Sequence, residues 1–207
     1  MAAHPGAESF VPESRSLPVV RRAADGCRGC DLWRNGTRTV FGEGPPEAAI
    51  MLVGEQPGDH EELEGHPFVG PAGRVLDDAL EDAGIAREQT YVTNAVKHFR
   101  FEQRGKRRIH ERPSRSQTVA CRPWLRAEIE IVAPRLLVLM GAVAAQSLLG
   151  PGFSVLRERG HVADVPAGLP AVVATVHPSS ILRAPDDERA ERMAGFVGDL
   201  RIAASML

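Results

Sequence analysis

Ala49-Ile50-Met51-Leu52-Val53, followed directly by Gly54-Glu55-Gln56-Pro57-Gly58-Asp59, is the stretch whose reading decides the fold. Five apolar residues in a row, with no polar alternation, suit a strand buried on both faces, as in a parallel sheet covered by helices. The polar loop behind them is framed by glycine and proline and ends the strand abruptly. The same alternation continues along the chain. Residues 71–83 carry Val75, Leu76, Ala79 and Leu80 as one helical stripe, with Gly84 as a stop. Further strands are expected at 91–96, 136–140 and 172–176, and further helices at 116–132, 141–150 and 186–204. Strands separated by helices imply an α/β protein: a three-layer α/β/α sandwich around a central, four-stranded, mainly parallel sheet. Residues 153–165 are expected to add a small hairpin. Residues 1–16, with Pro5, Gly6 and Pro12, read as a loose tail before a single domain over 17–207.

In such a sheet, ligands bind beyond the carboxyl ends of the strands. Three strand ends carry unusual polar residues. The first is followed by Glu55, Gln56 and Asp59, the second ends near Asn94, and the fourth runs into His177-Pro178-Ser179-Ser180. A dinucleotide site is excluded, because the near match Gly42-Glu43-Gly44 precedes the first strand and lacks a third glycine. The loop after that strand also carries carboxylates where a pyrophosphate needs bare amides. Glu55, Gln56 and Asp59 suit either a capped turn or the positioning of water or a cation. Pro178 stiffens the loop that holds the His177 imidazole. Phe68, in Gly65-His66-Pro67-Phe68-Val69-Gly70, is core by residue type, yet its glycine-flanked loop also lets a flat ring stack on a base.

Charge is segregated along the 207 residues. The formal net charge is −2, but residues 97–126 hold ten Lys/Arg against Glu102 and Glu111, a local balance of +8. A solvated charge run is the ordinary meaning of such a stretch. Here the acids gather elsewhere, at Glu55, Asp59, Glu61, Glu62 and Glu64, which favours a polyanion surface. Within the run, Lys106-Arg107-Arg108-Ile109-His110 sets a histidine at the end of a basic loop. Cys27-x-x-Cys30 and Cys121 offer three thiolates, and His98 is a candidate fourth donor. On spacing, a structural zinc site, an iron–sulfur cluster and inert thiols all stand open. The apolar stretch at 136–150 is too short for a membrane span, and no secretory signal is visible, so a cytoplasmic location is expected.

Taken together, the motifs resemble the uracil-DNA glycosylase superfamily. Gly54-Glu55-Gln56-Pro57-Gly58-Asp59, the run from Pro67 through Phe68 to Arg74, Thr93-Asn94-Ala95-Val96-Lys97 and His177-Pro178-Ser179-Ser180 match its iron–sulfur branch in order and spacing. The likeness covers about residues 25–204. His98 stands where hydrolytic members of that branch have a cysteine. With Gln56 and the longer loop ending in His110, it is similar to the UdgX group, whose members excise uracil and stay attached to the sugar.

The resemblance implies a set of roles. His110 is the nucleophile, and Glu55, Gln56 and Asp59 organise the sugar side and position it. Asn94 reads uracil, Phe68 stacks on the flipped base beside Gly54, and His177 stabilises charge on the uracil oxygen. Lys106, Arg107, Arg108, Ser179 and Arg183 hold DNA. Cys27, Cys30, His98 and Cys121 hold a [4Fe-4S] cluster, which replaces zinc as the expectation. The substrate is uracil-containing DNA, mainly single-stranded, acted on by a monomer in base excision repair. Hydrolytic multiple turnover, non-catalytic binding of uracil-DNA and a zinc-stabilised phosphohydrolase are the alternatives.

Overall fold

The side chains of the first strand point alternately into two separate cores. Ile50 and Leu52 join a cluster with Leu76, Leu80, Phe196 and Leu200, while Met51 and Val53 join one with Val20, Trp124, Leu125 and Val143. This is the period-two consequence of a continuous apolar run placed between two helical layers. The structure, a computed structural model, describes residues 4–207. Its elements are α1 Leu17–Ala24, β1 Ile50–Gly54, α2 Asp59–Glu64, α3 Pro71–Asp82, β2 Thr90–Asn94, β3 Phe101–Arg104, β4 Arg107–His110, α4 Arg115–Val132, β5 Leu136–Met140, α5 Ala142–Leu149, α6 Val155–Glu158, β6 Ala171–Thr175, α7 Pro178–Leu182 and α8 Asp186–Ala204.

The main sheet has the order β2-β1-β5-β6, with every neighbouring pair parallel. Helices α3, α7 and α8 cover one face, and α1, α4 and α5 the other, giving the three layers expected. Because β2 and β5 lie on opposite sides of β1, the loops leaving their carboxyl ends diverge around a crevice. Gly54 and Asn94 are register partners at that edge. They therefore face the ligand side together.

Three expectations change. The basic loop is a two-stranded antiparallel hairpin, β3–β4, in which Phe101 pairs with His110 and Arg104 with Arg107. Gly105, at φ 60°, is the first central residue of its two-residue turn, the glycine position of a type II′ hairpin. The hairpin expected over 153–165 is instead the short α6 and an isolated bridge from Val162 to Val173. Residues 4–16, read as a loose tail, are docked: Gly6 N donates to Gly29 O at 3.0 Å and Ala7 N to Ala120 O at 2.9 Å, with Ala7 fully buried. Alanine and glycine carry no apolar pattern, so only the fold could reveal that contact.

A buried polar network joins the sheet to α4. Lys97 is 1% exposed and its Nζ donates to Thr93 Oγ1 at 2.6 Å, Asn94 O at 2.7 Å and Glu128 Oε2 at 2.5 Å. Glu128, wholly buried on α4, also accepts from Gly42 N, Tyr91 Oη and Thr93 Oγ1. Removing one member of a buried ion pair leaves the other charge unmatched, which costs about 3–5 kcal/mol. Lys97→Met is therefore expected to lower the unfolding free energy by that amount in denaturant melts. Lys97→Met combined with Glu128→Leu should recover much of the loss.

Candidate active site

The ends of β1, β2, β4 and the α7 entry surround one cavity of about 280 Å³, lined among others by Gln56, Asp59, Phe68, Asn94, His110 and His177. Ser179 and Arg183 also line it. Asn94, the last residue of β2, is 3% exposed, and its Oδ1 is buried without a hydrogen-bond partner among the described residues. A buried acceptor left unpaired costs about 1–3 kcal/mol, so it is suited to a ligand that donates to it. Gly54 makes room beside it: a Cβ there would run into Asn94 Oδ1 and lie 2.6 Å from Phe68 Cζ.

Phe68 holds a left-handed backbone at φ 58°, which an aromatic residue adopts only under constraint. The constraint is visible. Gly73 lets the first turn of α3 close against the Phe68 carbonyl, where any Cβ would collide. Glu61 accepts from Gly58 N at 3.0 Å and Gly70 N at 3.1 Å, tying together the two glycine loops that flank the ring. The Phe68 ring lies 6.1 Å from that of His177, at 29°.

The protonation of His177 follows from its partners. Ser179 N donates to Nδ1 at 3.2 Å, so Nδ1 is an acceptor and the neutral ring carries its proton on Nε2. Ser179 Oγ lies 2.8 Å from Nδ1 and accepts from Arg183 at 3.0 Å, which locks the ring orientation. Burial, with Arg183 and His110 nearby, pushes the His177 pKa down to about 4. The site thus contains a fixed neutral donor.

His110 ends β4, with Nε2 3.8 Å from Glu55 Oε1. Burial, reinforced by Arg183, holds its pKa below the ordinary histidine value, so the imidazole is neutral with a free lone pair at neutral pH. Burial raises the Glu55 carboxyl, against the pull of Arg112 and Arg183. Gln56 fixes the base of the hairpin. Its Nε2 donates to Arg100 O at 3.2 Å and Glu111 O at 3.1 Å, and its Oε1 accepts from Arg100 N at 3.0 Å.

The fold separates the hairpin cations. Lys106 and Arg107 are exposed at the tip, but Arg108, expected to hold DNA with them, points into the protein. Its Nε lies 2.5 Å from Asp59 Oδ1 and its NH1 contacts Glu62 Oε2, with the guanidinium over Phe99 and Phe101. At 15% exposure it pins the arm to α2. Asp59 is thus tied to the hairpin through Arg108, two residues before His110. Glu61, Glu62 and Arg100 escaped the sequence reading. Asp59 and Glu62, three apart on α2, share a face, but an acidic run at a helix start reads first as a surface.

Cys27, Cys30, His98 and Cys121 line one closed cavity together with Trp33 and Trp124. Three N–H groups point at sulfur: Trp124 Nε1 at 3.2 Å and Gly29 N at 3.4 Å from Cys27 Sγ, and Lys97 N at 3.3 Å from Cys121 Sγ. Burial holds His98 neutral, with a pKa pushed down to about 4. Among the described residues, no group of three or more His, Cys, Asp or Glu closes on a single ion.

A parallel sheet with these strand-end motifs defines a class, and sequence comparison states which. The profile of the uracil DNA glycosylase superfamily matches residues 41–201, and the chain belongs to that family. It is 34% identical over 178 residues to the Type-4 uracil-DNA glycosylase of Sulfurisphaera tokodaii, covering 83% of this chain and 78% of that one. The Type-4 uracil-DNA glycosylase of Thermotoga maritima is 36% identical over 168 residues, covering 81% and 83%. That of Archaeoglobus fulgidus is 34% identical over 176 residues, covering 82% and 85%. No helix among the described residues is long and apolar enough to cross a membrane.

The unfolded chain takes up a proton on His177 near pH 6.5, whereas the folded ring resists protonation down to about 4. Stability is therefore unaffected above that window and falls as pH drops through it. His177→Asn is expected to flatten this part of the stability–pH curve. In wild-type protein, nitrogen NMR at pH 7 should find Nε2 protonated and Nδ1 bare.

Proposed function

We propose that this chain excises uracil from DNA, with single strands preferred, and remains joined to the sugar C1′ through His110, as in the UdgX group. Single-stranded substrate spares the cost of unstacking a paired base. The Asn94 amide offers a donor and an acceptor that match the O4/N3 edge of uracil and mismatch cytosine. As the glycosidic bond breaks, its electron pair leaves with uracil, and the Nε2–H of His177 stabilises the resulting anion. The imidazole lone pair of His110 forms the new bond to C1′, and the ring then loses its proton. Unlike a carboxylate ester of the sugar, this C–N bond resembles a nucleoside linkage and resists water.

The observation that carries the reading is the shared cavity: neutral His110, held by Gln56 and Arg108, opens onto the same space as Asn94, Phe68 and His177. Hydrolytic turnover is the second reading, favoured by the similarity to the Type-4 proteins. Intact mass measurement after incubation with uracil-containing single strands separates the two. The expected product is protein plus the DNA strand less uracil. His110→Ala should abolish the adduct while still releasing some uracil, because the base pocket is untouched. An adduct of unchanged yield with His110→Ala removes the nucleophile assignment.

Cys27, Cys30, His98 and Cys121 would hold a [4Fe-4S] cluster, which supplies a structural cross-link between the amino-terminal segment, the exit of β2 and α4. The donor set fits. Burial raises the Cys30 and Cys121 thiols to about 11 and 12, so bound iron is what would make them thiolates. The three N–H donors aimed at sulfur suit thiolate charge. Iron analysis is expected to find about four irons per chain. Cys121→Ser should lose the visible iron–thiolate absorbance and lower the Tm. We place the protein as a monomer in the cytosol, acting in base excision repair.

A further inference from the structure

Sorting the basic run by partner separates two populations. Lys97 pairs with Glu128, Arg100 with Glu111, Arg104 with Glu102, and Arg108 with Asp59 and Glu62. These cations serve the fold. Like Lys106, Arg107 and Arg126, the three residues Arg112, Arg115 and Arg122 form no ion pair among the described residues. All three line a second cavity, of about 180 Å³, between the exit of the hairpin, the start of α4 and α5. No carboxylate lines it; Thr118, Gln146 and Ser147 supply its other polar side chains. Arg122 Nε is buried there without a hydrogen-bond partner among the described residues.

Three like charges around one hollow repel each other, and an unpaired buried guanidinium nitrogen adds a desolvation cost. Arg115 is also the first residue of the 18-residue α4, whose first turn contains no acid, so the positive end of the helix dipole adds to the same field. An anion in the cavity relieves all of these at once. A planar guanidinium fork matches the geometry of phosphate oxygens. Arg112 lies two residues beyond His110, a span of at most about 7 Å of chain, so the cavity adjoins the active-site pocket.

We propose that the cavity walled by Arg112, Arg115 and Arg122 is a binding site for a backbone phosphate of the DNA strand that flanks the uracil. This rests on the glycosylase reading above. It makes the strand path asymmetric: the flipped base enters between Asn94 and His177, and the neighbouring backbone is drawn along the start of α4. The exposed tip residues Lys106 and Arg107 are then a separate contact from this one.

The test is the salt dependence of binding to uracil-free single strands of 5 to 15 nucleotides, read by fluorescence anisotropy. For single strands the slope of log K against log[salt] is about −0.7 per phosphate neutralised. Arg115→Gln combined with Arg122→Gln is expected to make the slope shallower by about 0.7 and to weaken binding about five-fold at 0.1 M salt. The gain in affinity with strand length should shrink as well. Arg115→Gln alone, at an exposed helix position, should move the slope in the same direction if the double variant folds poorly. Unchanged slopes and length dependence in both variants would overturn the proposal. Inorganic phosphate serves as the second probe: a thermal shift lost in the variants while the DNA slope stays constant would make this a small-anion site instead. Uracil release by the wild-type protein is measured in parallel. Its absence would sink the glycosylase reading while leaving the phosphate result interpretable.

Discussion

The ammonium group of Lys97 is the point on which the site and its support converge. Nearly without exposure, it is matched by Glu128 and two further oxygens, one of them the main-chain carbonyl of Asn94. The same residue's N–H points at Cys121 Sγ, and its chain neighbour is His98. Low dielectric makes such a network costly to leave partly satisfied and stiff when complete. Asn94, the cysteine cavity and α4 are therefore held in one frame.

A second frame, built from Gln56 and Arg108, decides where His110 goes. A two-stranded hairpin alone is marginally stable in water. Here its base is bonded to the loop after β1 through three hydrogen bonds of Gln56, and its body is pinned to α2 through Arg108. Glu62 continues the linkage by accepting from Thr37 N at 3.2 Å. Arg100 extends it to Gln117, which in turn donates to Asp31 beside Cys30. Through these links the hairpin that carries His110 and the cysteine lobe share a continuous set of polar contacts. The half-exposed imidazole is thus held at the pocket without being packed into the core.

Much of this was legible in the chain. The apolar runs gave β1, β5 and β6 to within a residue, because strands buried on both faces have no polar alternation to confuse them. Helix α8 was read to its ends, and α3 and α4 to within one residue. Asn94 and His177 could be nominated because their residue types are unusual at strand ends, and His110 because it closes a basic run; Gly54 came from the family resemblance. Each remaining difference has its own physical cause. The β3–β4 hairpin sets Glu102, Arg104, Lys106, Arg107 and Arg108 between Phe101 and Ile109, so its apolar period is absent and it reads as a loop. Arg108 could not be told from Lys106 and Arg107, since three adjacent cations look alike until one of them finds Asp59 and Glu62. The docking of Gly6 and Ala7 rests on main-chain hydrogen bonds, which leave no trace in side-chain pattern.

By itself, the sequence determined the layers, the strand ends and the chemical types gathered at them, since hydrophobic periodicity and residue chemistry are local properties. Tertiary structure decided which of those groups act and which support. Whether an arginine is a phosphate contact or a buried anchor depends on which acid lies within about 4 Å of it. Whether a histidine is a neutral donor or a neutral nucleophile depends on burial and on which of its nitrogens is already bonded. Burial and the choice of acid partner are facts of long-range packing, as between Arg108 and Glu62, 46 positions apart, whereas the bonded nitrogen of His177 is set locally by Ser179.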